Sequence, residues 1–215
     1  MKSRVLLGLA FAMSLGVGAL DARPASACGT AIREVVDNHA MLVSSAEKQL
    51  NDGKLEAAAA EVSNAFPGLK LYKPGTGPLA DRGLRILAMA VARKNGALTV
   101  GAFQGTSEKQ KAENLEWSIA TLRGLNAKRP NNPALQTDLG EALAKVEKYQ
   151  PEAQKLLGSL ADKDLLASAE GYAALAKIKA STGDATGRDA ALKRCAAMTK
   201  TAARVCAMPG ASVSS

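Results

Sequence analysis

The sequence predicts an all-α fold on three observations. Alanine dominates the composition, aromatic residues make up 3% of it, and β-branched runs are few, so most segments consist of strong helix formers. Apolar residues recur at three- and four-residue steps in one segment after another, which places them on one face of a helix. No stretch alternates apolar and polar residues between hairpin turn pairs, the pattern a half-buried strand leaves.

The helices follow in order. Ile32, Val35, Val36, His39, Val43, Ala46 and Leu50 form the first stripe, which Asn51-Asp52-Gly53 stops. Leu55 to Phe66 makes a second helix, with Ala58, Val62 and Ala65 in line, and Pro67-Gly68 ends it. Residues 67–78, PGLKLYKPGTGP, form a loop by their Pro and Gly content. A third helix spans Leu79 to Lys94 and closes at Asn95-Gly96. After a loose stretch from Ala97 to Thr106, Ser107 is an N-cap with Glu108 in the first turn, and that helix runs to about Ala127. Pro130 to Pro133 breaks the chain. Ala134 to Glu147 and Pro151 to Leu160 make the next pair, and Leu165 to Thr182 and Thr186 to about Thr201 the last. The tail, residues 207–215, is small, polar and expected to be flexible.

The N-terminus reads as a signal peptide, residues 1–27. Lys2 and Arg4 precede an uncharged run from Val5 to Leu20, and Ala25-Ser26-Ala27 offers the small residues a signal peptidase accepts. Gly8, Ser14, Gly16 and Gly18 dilute that run below the roughly 20 firmly apolar residues of a membrane span. The expected protein is exported, periplasmic or secreted, with one domain over 28–206. Three of 28 basic and one of 20 acidic residues leave with the signal, so the remainder carries 25 against 19, or +6. A basic excess in that compartment suits anionic surfaces such as lipid head groups and gives no reason to expect nucleic acid.

Three cysteines remain: Cys28, Cys195 and Cys206. Ala25-Ser26-Ala27-Cys28 resembles a bacterial lipobox, although Ala25 stands where Leu is usual and Asp21 to Pro24 separate the box from the apolar core. Simple cleavage is preferred, with lipidation at Cys28 the alternative that makes the protein lipid-anchored. On one unbroken helix Cys195 and Cys206 lie about 16 Å apart, too far for a bridge. If the helix ends near Thr201 and the chain folds back they can pair, leaving Cys28 single. The rival is Cys28 paired with one of them.

Chemistry-bearing motifs are sparse. His39, the single histidine, falls on the apolar stripe and reads as a packed residue, though it is the one imidazole a Ser-His-Asp triad could use. One His and three scattered Cys make no zinc ligand set, and no phosphate-cradling GxxxxGK[ST] loop occurs. Gly75-Thr76-Gly77 is a turn between prolines. The carboxylate pairs Asp162/Asp164 and Glu113/Glu116 read as solvated faces. No catalytic residue, metal or cofactor is therefore expected. Trp117 reads as an anchor between helix pairs, with ligand stacking the alternative. Phe103, in GAFQGT, is either a binding knob on a loop or a ring tucked back into the stack.

The helix pairs resemble tetratricopeptide repeats, helix–turn–helix units of about 34 residues. The first unit carries Ala46, Gly53, Ala58, Val62 and Ala65, and the last Tyr172, Leu175, Ala176 and Gly183-Asp184. The third carries Leu139-Gly140 and Tyr149, with Ala153 one place late and Glu147 where Gly is usual. The second keeps the Met89-to-Gly96 spacing, but a loose stretch intervenes before its second helix. The resemblance implies antiparallel helix pairs stacked as a short right-handed solenoid with a concave groove. It also implies a protein-interaction module of the cell envelope that binds a protein or peptide partner. The family's groove-facing positions fall on Glu47 and Asn51, then Arg93 and Lys94, then Glu141 and Lys145, and last Lys177. Each also reads as plain solvated surface. The Lys and Asn set with which the family clamps C-terminal carboxylates is not matched, so that ligand is not expected. From Gly171 onward seven basic residues (Lys177, Lys179, Arg188, Lys193, Arg194, Lys200 and Arg204) face only Asp184 and Asp189, which makes this end the candidate contact for an anionic membrane surface. The alternatives are a structural envelope lipoprotein held through Cys28 and a small cell-wall hydrolase using His39 or a carboxylate pair.

Overall fold

A computed structural model describes residues 27–208, with side chains for 38–201 and 204–208. The expected signal peptide ahead of Ala27, the side chain of Cys28 and the tail from Pro209 lie outside the described residues. The helices are α1 (Ala27–Asn51), α2 (Leu55–Ala65), α3 (Pro78–Arg93), α4 (Glu108–Lys128), α5 (Pro133–Leu143), α6 (Gln150–Asp162), α7 (Ala169–Ser181), α8 (Ala185–Met198) and α9 (Ala202–Val205). Short 3-10 turns sit at Leu69–Leu71 and Glu147–Tyr149. No strand occurs among the described residues, so the fold is all-α.

Each helix from α1 to α8 packs on the next, and α1, α3, α5 and α7 also touch one another in sequence. This arrangement follows from where the sequence is apolar. α3 lies against α1, α2, α4 and α5 and is buried almost all round from Leu84 through Ala92, apart from Arg85. Burial on every side is what an unbroken apolar run requires. α8, at the end of the series, buries only Ala191 and Cys195. Small residues mark the close crossings. A Cβ at Gly140 of α5 would lie 2.5 Å from Leu157 Cδ2 of α6, closer than carbon atoms pack.

Three of the odd helices, α1, α3 and α7, end alike. Gly53 after α1 and Gly183 after α7 take φ of 76° and 78°, and the next N–H returns to the carbonyl five residues back. Lys54 donates to Gln49 at 2.8 Å and Asp184 to Lys179 at 2.9 Å, the αL closure that glycine permits without a Cβ clash. α3 uses Asn95 (φ 51°) in that place, with Gly96 donating to Val91 at 2.9 Å. α5 has no such residue. It stops at Leu143, four residues before the expected Glu147, and tightens through Lys145 and Val146 N–H bonds to Ala142 and Leu143. α7 begins at Ala169 and not at Leu165, because Ser168 caps it, accepting from Gly171 N–H at 3.0 Å.

The loose stretch before α4 is ordered by packing. Asn114 donates to Gly96 O at 2.9 Å. Phe103 is 3% exposed and meets Trp117 edge-on at 4.9 Å, so it tucks into the stack. The Trp117 indole N–H donates to Lys70 O at 3.0 Å, tying the loop after α2 to α4.

After α8 the chain turns back. Thr199 is extended, and a disulfide joins Cys195 to Cys206 with the Cα atoms 6.0 Å apart. α9 lies against α7 and α8. Arg204 Nη1 donates to Asp52 O at 3.2 Å, a contact between the last helix and the first turn. Met208 packs against the core.

Candidate binding clefts on the face of the odd helices

Charged residues from α3, α5 and α7 are drawn to one face because these helices pack side by side. Arg85 and Arg93 are eight residues apart, about two turns of α3. Asp138 and Glu141 are three apart on α5, one turn. The two rows interlock: Arg85 Nε donates to Asp138 Oδ2, and Arg93 donates to both Glu141 oxygens, at 2.9 Å and 3.1 Å. Arg93 also lies 3.6 Å from Glu170 of α7 and 3.5 Å from Leu50 O of α1. One guanidinium therefore links α1, α3, α5 and α7.

These groups are removed from water. Asp138 and Glu141 are 3% and 2% exposed. Burial opposes the Arg93 charge, but the Glu141 carboxylate at hydrogen-bond distance outweighs it, with Glu170 and Asp138 adding, and holds the pKa above the ordinary guanidinium value. Burial likewise pushes the Asp138 carboxyl up, against the pull of Arg85. The solvated-surface reading fails for Arg93 and Glu141: neighbouring odd helices cover them, and Glu141 has both oxygens taken by Arg93.

Two adjoining clefts flank this network. The larger, 370 Å³, lies at the C-terminal ends of α1, α3 and α5 and along α7, with Arg204 and Val205 of α9 forming one wall. Arg93, Glu141, Lys145 and Lys177 line it. The smaller, 310 Å³, is lined by Glu47, Asn51, Arg85 and Asp138, and shares Leu50, Arg93 and Glu170 with the first. Of the seven expected groove residues, six line these clefts. Lys94 does not; it pairs with Glu56 of α2. Glu47 is held by Arg82 at 2.6 Å, and Asn51 is exposed.

Lys145 sits half-buried at the end of α5. Burial pushes its pKa down from 10.5, against the pull of Glu141, with Lys177 and Arg93 adding to the fall. Neither Lys145 nor Lys177 has a carboxylate within ion-pair distance among the described residues, because Arg93 takes Glu141 and Glu170. Helix C-terminal dipoles attract cations to this end, but neither ammonium has a side-chain hydrogen-bond partner among the described residues.

The other expected site residues lie elsewhere. His39 lines neither cleft and packs on Phe66 with ring centroids 5.1 Å apart. Glu116 accepts from Lys148 and Tyr149, and Asp164 pairs with Arg194. Much of the basic C-terminal end is internally matched, with Lys179 on Asp184 and Arg188 on Asp189. Among the described residues no group of three or more His, Cys, Asp or Glu is placed to hold a metal, and no helix is long and apolar enough to cross a membrane. Sequence reasoning missed Arg85, Asp138 and Glu170. The two-turn spacing on α3 set against the one-turn spacing on α5 was the signal for the first pair. Comparison with family models, curated proteins and solved structures found no match.

Proposed function

We propose that the protein is an exported, tetratricopeptide-like helical-repeat module of the cell envelope. Its helix pairs stack as a short right-handed solenoid, and it holds a protein or peptide partner against the face of α1, α3, α5 and α7. The observation that carries this reading is the side-by-side packing of those four helices, all of which contribute residues to one adjoining pair of clefts. The matched closures of α1 and α7 at Gly53 and Gly183 support a repeated unit. Periplasmic residence rests on the N-terminal signal and suits the Cys195–Cys206 disulfide, since such bonds persist in oxidising compartments.

Site-specific photocrosslinking in the intact envelope tests the assignment. A benzophenone side chain at Asn51, exposed at the smaller cleft, should yield one discrete adduct. The same probe at Glu113, on the outer side of α4, should yield none. Equal adducts from both positions, or none from Asn51, would overturn the reading. Intact mass of the mature protein checks the export step: a start at residue 28 is expected.

A further inference from the structure

The larger cleft has a charge imbalance and an apolar lining that together specify a ligand. Four cations line it (Arg93, Lys145, Lys177 and Arg204) against two carboxylates, Glu141 and Glu170. Arg93 engages both carboxylates, and Arg204 is spent on a backbone carbonyl, Asp52 O. What remains is a pair of ammonium groups, half-buried Lys145 and exposed Lys177, neither with a carboxylate within ion-pair distance among the described residues. A half-buried cation without a partner is costly, so a single anion placed between Lys145 and the exposed Lys177 would relieve the desolvation of the first and the repulsion between the two. The surrounding walls are aliphatic: Leu50, Leu55, Ala174, Ile178 and Val205. The volume, 370 Å³, falls at the small end of the roughly 300–1,000 Å³ range of small-ligand pockets.

We propose that this cleft binds a carboxylate carried on a short aliphatic body, the anion between Lys145 and Lys177 and the chain against Leu50, Leu55 and Ile178. The inference rests on the reading that this face takes a ligand, but not on that ligand's being a protein. An inorganic anion would leave the aliphatic walls wet, and an alcohol or amine of the same length would leave the ammonium pair uncompensated or add to it. The chemistry has two sources: a free aliphatic carboxylic acid, or an acidic residue beside an aliphatic one in a partner chain.

The test is calorimetric titration of the mature, disulfide-intact protein with octanoate, octanol and inorganic phosphate. Octanoate should bind saturably at one site and at least tenfold more tightly than either control. The double variant Lys145→Met/Lys177→Met should lose at least tenfold in octanoate affinity with a thermal melt no lower than wild type, whereas Lys155→Met, on α6, should bind as wild type. Octanol binding within threefold of octanoate, or an unaltered affinity in the double variant, overturns the proposal. Native mass spectrometry of protein from its own envelope separates the sources. A co-purifying acid that octanoate displaces identifies a free ligand; no such mass, with octanoate suppressing the Asn51 crosslink, identifies a group on a partner. If octanoate fails to bind while that crosslink persists, this inference falls and the adaptor reading stands. If octanoate binds and Asn51 captures nothing, the reverse holds.

Discussion

The Arg93–Glu141 pair should be the most damaging single point at which to cut the face of the odd helices. The perturbation is Glu141→Gln, which keeps the size of the side chain and removes its charge. Glu141 is 3% exposed and Arg93 13% exposed at their side chains, so water cannot replace the lost carboxylate. The amide offers one acceptor oxygen and turns an N–H group toward the guanidinium. Arg93 is then left with Glu170 at 3.6 Å and the Leu50 carbonyl at 3.5 Å, both poorer partners. Removing one member of a buried pair costs about 3–5 kcal/mol, and the retained Glu170 places the expected loss near the lower figure, about 3 kcal/mol. For a domain of this length each kcal/mol moves the midpoint by roughly 2–4 °C, so the melt should fall by about 6–12 °C. Far-ultraviolet circular dichroism follows it. The double variant Arg93→Met/Glu141→Gln supplies the decisive comparison. The only carboxylate it leaves without Arg93 is Glu170, 29% exposed at its side chain, so it should be more stable than Glu141→Gln alone. A loss under about 1 kcal/mol in the single variant, or strict additivity in the double, would refute the argument that this pair is desolvated and coupled.

Further outcomes follow from the same contacts. Gly96→Ala should destabilise by about 2–5 kcal/mol in urea unfolding, because φ is 76° and the new Cβ would meet Lys111 O at 2.1 Å. Gly183→Ala, at a similar φ but with nothing within 4 Å, should lose only about 1–2 kcal/mol. Cys195→Ser/Cys206→Ser should release α9, since an eleven-residue bridge contributes about 3 kcal/mol of chain constraint. Hydrogen exchange at Ala202–Val205 should accelerate while α3 and α5 stay protected, and unchanged exchange in α9 would contradict its role as a latched wall. Lys145 gives a pH signature. Its folded pKa is depressed by burial against Glu141, with Lys177 and Arg93 adding, so between that value and 10.5 the unfolded chain binds the extra proton and stability rises with pH. Lys145→Met should lack this alkaline gain when wild type and variant are unfolded in urea at a series of alkaline pH values.

What the sequence disclosed and what it withheld divide along the distance over which a signal acts. Helix starts and stops are local, so Ser107 could be recognised as a cap from its neighbours alone; Gln110 completes it by bonding back to the Ser107 N–H at 3.1 Å, a partner visible at the expected three-residue spacing. The end of α5 was misplaced because Ala144 to Glu147 contains good helix formers and no stop residue. There the chain tightens through i→i+3 bonds, and composition does not encode that. The start of α7 was misplaced for a related reason: Leu165-Leu166-Ala167 reads as helical, yet Leu166 is buried at 5% exposure ahead of the Ser168 cap.

The site was half legible for a physical reason. The repeat resemblance supplied a face, and six of seven residues assigned to it do line the clefts. It could not say which of them are exposed, since that depends on how closely α3, α5 and α7 approach. The approach depends in turn on small residues at their contacts with the even helices, Gly140 against Leu157 among them. A larger residue at 140 would push α5 off α6 and shift the Arg93–Glu141 bond, so the small residue on the inner side of α5 sets the electrostatics of its outer side. Once Arg93 has taken both Glu141 and Glu170, the unpaired charge is no longer the mixed set read from the sequence but two lysines of one sign. The selectivity of the cleft therefore follows from which carboxylates the fold removes, and a ligand that brings a carboxylate back restores the balance that folding upsets.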